Sequence, residues 1–143
     1  MRARDATPDS APARAPANTL IPNDVELTIQ VDTAALLAGD ANARREALAE
    51  LQGVLAPYRG AGCRAGVVLT FGHAPEVGVG VGLADVVNTL LEEEYPALFQ
   101  GAVFDALANL GGPAGQVDVR IFFFAGCAPA EAGEPPPTIA PTG

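Results

Sequence analysis

His73 is the only histidine in the chain, and acid–base or nucleophilic chemistry at an imidazole needs a nucleophile on one side and an orienting acid on the other. No Ser or Cys lies near it in sequence, and Glu76 and Asp85 are the only local acids, so no catalytic triad assembles locally. The reading is a structural residue at a strand end, with ligand binding as the alternative. Downstream, Gly78-Val79-Gly80-Val81-Gly82 stands between a strand and a helix, where backbone N–H groups and the helix dipole can cradle an anion. Its spacing matches neither GxGxxG, because Leu83 stands three after Gly80, nor a Walker loop, because the chain has no Lys. A tight or flexible connection is the plainer reading. Gly72, His73, Glu76, Gly78, Gly80 and Gly82 are the candidate ligand-binding residues. Cys63 and Cys127, the only cysteines, lie in no CxxC and at no metal-ligand spacing from a histidine. Neither a metal nor another cofactor is expected, and the chain reads as a non-enzyme. Glu92-Glu93-Glu94 falls near a helix C-terminus, where the macrodipole prefers cations; it reads as a solvated acidic face, with a docking site for a basic partner as the alternative.

These residues hang on a short series of elements. Asp24 to Asp32 alternates Val25, Leu27, Ile29 and Val31 against Glu26, Thr28 and Gln30, the period-2 pattern of a half-buried strand. Asp40 is a candidate N-cap for a helix with Ala47, Leu48, Leu51, Val54, Leu55 and Tyr58 on one stripe, ending near Ala56 before Pro57. After a turn at Gly60 to Gly62, the apolar run Gly66 to Phe71 predicts a central strand covered on both faces. Ala74 to Gly82 reads as a loop. A second helix then carries Leu83, Val86, Val87, Leu90, Leu91 and Tyr95 and ends near Pro96. Ala102 to Ala108 and Val117 to Phe124 read as two strands joined as a hairpin through a long loop, with a short helix over Phe104 to Leu110 as the alternative for the first. Phe122, Phe123 and Phe124 alternate sides of the last strand, so apolar area is expected on an open sheet face, a candidate protein interface. The order implies a two-layer α+β sandwich: strand-helix-strand-helix-strand-strand, a four-stranded mixed sheet with two helices on one face.

At 143 residues and 49% apolar composition, the chain suits one domain with one core, expected over residues 23–127. Residues 1–22, rich in Ala, Pro and Arg, and residues 128–143, with five prolines, are expected to be disordered tails. Eight Arg oppose 17 Asp and Glu, for a net charge of −9. Nucleic acid and anionic membrane surfaces repel such a chain and are set aside as partners. No run approaches the roughly 20 apolar residues of a membrane span, and no signal-peptide core follows the arginines at the start. The expectation is cytoplasmic for the chain as written, and the cell envelope if it is a fragment or its start is misplaced.

The stretch Leu48 to Tyr58, then Val67-Val68-Leu69-Thr70-Phe71-Gly72-His73, then Leu83 to Leu91, then Val117-Asp118-Val119-Arg120-Ile121 resembles the OmpA-like domain family over about a hundred residues. In that family the strand closes on Gly-His-Thr-Asp and the next helix begins with Arg-Ala. The Asp and the Arg grip the ammonium and the carboxylate of peptidoglycan diaminopimelate. Here Ala74 and Pro75 stand at the Thr-Asp positions and Leu83 stands near the Arg position. The ordinary ligand mode is therefore expected to be lost. The resemblance also implies that the last strand lies antiparallel between the first and second, which makes Cys63 and Cys127 neighbours able to form a disulfide.

The leading functional expectation is a non-catalytic OmpA-like binding or interaction module, with the Gly72 to Gly82 segment and the open sheet face as candidate surfaces and a protein or peptidoglycan as partner. One alternative keeps peptidoglycan association through an altered loop. Another is a small-ligand binder or enzyme of chorismate-mutase-like topology, which would have to gather cations from Arg44, Arg45, Arg59, Arg64 and Arg120 around a dianionic substrate.

Overall fold

The alternation that opens the domain becomes strand β1 (Val25–Gln30), with Ile29 buried and Glu26, Thr28 and Gln30 exposed. The computed structural model describes residue 20 and residues 24–127. A short helix α1 (Thr33–Leu37) follows, capped by the Asp32 carboxylate, and then α2 (Ala41–Leu55), where the Asp40 carboxylate accepts from the Ala43 N–H at 2.9 Å. Each cap satisfies a donor that the helix itself leaves without a partner. Pro57 ends α2 in a single 3-10 turn (Ala56–Tyr58). Strand β2 (Ala65–His73), helix α3 (Val77–Glu94), the short helix α4 (Pro96–Phe99), and strands β3 (Val103–Asn109) and β4 (Gln116–Phe123) complete the domain. Pro96 serves as the first residue of α4, where its missing N–H costs no hydrogen bond.

The sheet order is β1-β4-β2-β3, with β4 antiparallel to both neighbours and β2 parallel to β3. This is a two-layer α+β sandwich. The last strand lies between the first and second, the position implied by the OmpA-like resemblance. The expected hairpin between β3 and β4 does not form: β2 stands between them, and the loop from Leu110 to Gly115 crosses over it. Turn-rich sequence between two strands signals a hairpin only when the strands are neighbours, and strand order is a long-range property. The segment that could have been helical, Phe104 to Leu110, is mostly strand.

Helices α2 and α3 cover the sheet face that carries Ile29, Val68, Val117, Val119 and Ile121. α2 contributes Ala43, Ala47, Leu51 and Leu55 at four-residue spacing, and α3 contributes Leu83, Val87, Leu90 and Leu91. Burying each large aliphatic side chain stabilises by about 1.5–3 kcal/mol. The other face of the sheet carries Val67, Leu69 and Phe71 of β2 and Phe122 of β4, all partly exposed. So β2 is central but covered on one face only; its continuous apolar run serves a core side and a half-exposed side. Phe123 packs under the helical layer, stacked on Tyr58 at 5.2 Å, while Phe122 and Phe124 stay partly exposed. Leu20, within a segment expected to be disordered, bridges to Phe124. The rest of both expected tails lies outside the described residues.

The glycine run expected as a loop is helical, since α3 begins at Val77. Packing overrides propensity here. A β-carbon on Gly80 would stand 2.6 Å from the Gly72 carbonyl oxygen and 2.8 Å from the Ala108 β-carbon, and one on Gly72 would stand 2.2 Å from the Gly80 carbonyl oxygen. The pair lets helix and sheet touch backbone to backbone. A β-carbon on Gly78 would meet nothing within 4 Å. Gly80→Ala therefore destabilises the domain by about 1–3 kcal/mol, whereas Gly78→Ala stabilises it by up to about 1 kcal/mol. Urea unfolding of the two variants checks the opposite signs, and equal effects would refute the contact.

Candidate functional site

Three polar side chains are buried among the described residues: Thr70, His73 and Asn88. Thr70 and Asn88 satisfy each other between β2 and α3: the Thr70 hydroxyl donates to Asn88 Oδ1, and Asn88 Nδ2 donates to the Asp105 carbonyl at 3.3 Å. That pair is closed. His73 is the remaining candidate.

His73 ends β2 on the sheet face away from the helices, and its residue is 4% exposed. Nε2 lies 2.7 Å from Asp118 Oδ2, and Nδ1 lies 2.7 Å from the Gly111 carbonyl oxygen. Asp118 comes from β4, where it sits beside Phe71 of β2 and opposite Thr28 of β1. Its other oxygen accepts from the Thr28 hydroxyl at 2.9 Å and from Gln116 Nε2 at 3.1 Å. The loop is held over the ring by further bonds: Gly115 N–H donates to the His73 carbonyl at 3.0 Å, Val31 N–H to the Gly115 carbonyl at 2.8 Å, and Gln30 Nε2 to the Ala114 carbonyl at 3.1 Å. Gly112, at φ +78°, lies against the imidazole so closely that a β-carbon would stand 2.7 Å from Nδ1. Only glycine fits that conformation and that space.

Both partners of the imidazole are pure acceptors, so the ring satisfies both only by donating from both nitrogens, as the imidazolium. Burial alone pulls the His73 pKa down. The hydrogen bonds to Asp118 and Gly111 and the nearby carboxylate charge outweigh it, and the net shift is upward. Burial likewise raises Asp118, but the bonds from His73, Thr28 and Gln116 hold it below the usual carboxylate value. The result is a charged clamp tying three strands to the loop. It has the residue types of a catalytic relay in another order: the hydroxyl bonds to the carboxylate, and the imidazole holds no hydroxyl to deprotonate.

The other residues singled out from sequence do not join it. Gly72 is buried against Gly80 in the helix–sheet contact, and Gly82 faces Leu37 of α1, whose side chain would lie 3.6 Å from a β-carbon placed there. Glu76 is the exposed N-cap of α3 but makes no side-chain cap bond, Gly78 is exposed in the first turn, and the Gly80 N–H donates to the Glu76 carbonyl at 3.0 Å. Glu93 and Glu94 meet Arg44 of α2 at 4.0 and 3.0 Å, so part of the acidic run is neutralised within the domain. Ala74 is buried, Pro75 is exposed, and Leu83 is 0% exposed in the core. Cys63 and Cys127 are joined in a disulfide with Cα atoms 4.0 Å apart. Among the described residues no three His, Cys, Asp or Glu side chains converge on a metal position, and no helix is long and apolar enough to cross a membrane.

Asp118, Thr28 and Gln116 are not marked as members of the His73 cluster by the local sequence, because each lies far from His73 along the chain. The usable signal was the strand order: with β4 between β1 and β2, the polar Thr28 and Asp118 positions meet on the face that carries His73. Comparison of the chain with protein-family models, with curated proteins and with solved structures finds no match in any of the three.

Proposed function

We propose that this domain is a non-catalytic, OmpA-like binding or interaction module that has lost the diaminopimelate-gripping pair. The observation that carries the reading is the state of His73. The one imidazole in the chain is covered by the loop and has both nitrogens committed to acceptors, so it offers no lone pair as a base and no free donor to a ligand. The ligand positions support the same conclusion. Pro75 carries no charge, and a residue at position 83 points into the core, so the charges that would hold diaminopimelate are missing from both places.

The partner in this reading is a protein that meets the half-exposed apolar strip of Leu69, Phe71 and Phe122; peptidoglycan is the family alternative, and a cell-envelope setting goes with either. In co-sedimentation with diaminopimelate-containing peptidoglycan, the purified domain pellets no more than an unrelated protein of similar acidity. Saturable pelleting would overturn the loss of the family ligand.

A further inference from the structure

The end of the domain opposite His73 holds a cavity of about 780 Å³ between the turn that precedes β2 and the joint of α3 with α4. Arg59 and Arg64 line it, with Cys63, Tyr95, Pro96 and Leu98, and so does Glu94, whose carboxylate is offset by its pairing with Arg44 at 3.0 Å. Five arginines fall within residues 24–127, and their surroundings differ. Arg44 pairs with Glu94 at 3.0 Å, Arg120 lies 3.5 Å from Asp24 and 3.9 Å from Glu26, and Arg45 bonds Asn42. Arg59 and Arg64 have aromatic rings in place of carboxylates: the Arg59 guanidinium lies 5.5 Å from the centre of the Tyr95 ring, and that of Arg64 5.0 Å from the centre of Phe124. Neither makes an ion pair among the described residues.

A guanidinium stacked on a ring is ordered through its face, and its edge keeps the fork of N–H donors that fits a carboxylate or a phosphate. Two such groups at one cavity also offset locally the repulsion that a chain of net charge −9 exerts on anions. The disulfide anchors the wall between them, because Cys63 is the residue before Arg64 and is bonded to Cys127. Pro96 and Leu98 add apolar surface. The geometry points to this cavity as a binding site for a small organic dianion, a phosphate monoester or a dicarboxylate, with its charges on Arg59 and Arg64 and its apolar body on Pro96 and Leu98. The site goes beyond the proposed function and does not depend on it.

The test is an amide ¹⁵N–¹H titration of the full chain at low salt with phenyl phosphate, with phthalate, and with neutral benzyl alcohol. At least one dianion displaces the Gly60, Gly62, Arg64 and Ala97 signals saturably, and Arg59→Gln or Arg64→Gln weakens that binding by roughly tenfold or more, the scale of a lost hydrogen bond to a charged group. Preserved signal dispersion shows that these surface variants still fold. Absence of saturable displacement by either dianion, equal displacement by benzyl alcohol, or unchanged binding in the double variant would overturn the site.

Discussion

Reduction of the Cys63–Cys127 disulfide, or replacement of both residues by Ser, lowers the unfolding free energy by about 4 kcal/mol. The bond spans 64 positions of sequence, and in the chain-entropy account a loop of that length restricts the unfolded ensemble by about that amount. The folded state loses little else, because the bond joins strand ends already paired through Ala65 and Phe123. For a domain of this size the melting temperature falls by on the order of 20 °C. Thermal unfolding with and without reductant measures it. A loss below about 1 kcal/mol, no more than an average substitution, would show that the bond does not constrain the unfolded chain in this way. Whether the bond persists in a cell depends on the redox state of the compartment.

His73→Ala destabilises the domain by about 3 kcal/mol, the scale for removing one partner of a buried ion pair. The loss has two parts: Asp118 keeps a charge with only Thr28 and Gln116 to satisfy it, and the Gly111 carbonyl loses its donor. Adding Asp118→Asn to the His73→Ala variant restores part of the stability, because the stranded charge is gone. The pH dependence follows from the directions of the two shifts. His73 is raised in the folded state, so its contribution is complete below the ordinary imidazole value near 6.5 and is lost as pH rises through the higher folded value. Asp118 is lowered, so its contribution is complete above the ordinary carboxylate value near 3.9 and is lost as pH falls through the lower folded value. The clamp therefore contributes most between about pH 4 and 6.5. Wild-type stability declines on the alkaline side of that window, and the decline is absent in His73→Ala. Chemical denaturation across pH distinguishes the two, and parallel curves would contradict the clamp.

Local chemistry made part of this fold legible. The Val25–Leu27–Ile29 alternation marked β1, and Asp40 with the stripe from Ala47 to Leu55 marked α2 to within a residue of its end. Elements governed by contacts far along the chain were not legible. Gly78 and Gly80 read as loop because glycine is a poor helix former, yet the close approach to Gly72 and Ala108 requires the absence of a β-carbon at Gly80. The β3–β4 hairpin failed because β2 claims the place between those strands. Helix α1 went unrecognised, since five residues hold too little periodicity to stand out. At the candidate site, His73 was visible as a lone imidazole, but its partner lies 45 positions away in the chain, and only the strand order brings the two together.

If His73 is a closed structural clamp and no free base, the ring itself must carry the signature, and the imidazole ¹⁵N–¹H spectrum of the folded protein reads it. At pH 6 both ring nitrogens are protonated and both N–H protons exchange slowly with water, as expected for donors buried between Asp118 and the Gly111 carbonyl. A neutral ring with one unprotonated nitrogen, or N–H protons exchanging at the rate of a solvent-exposed imidazole, would contradict the clamp.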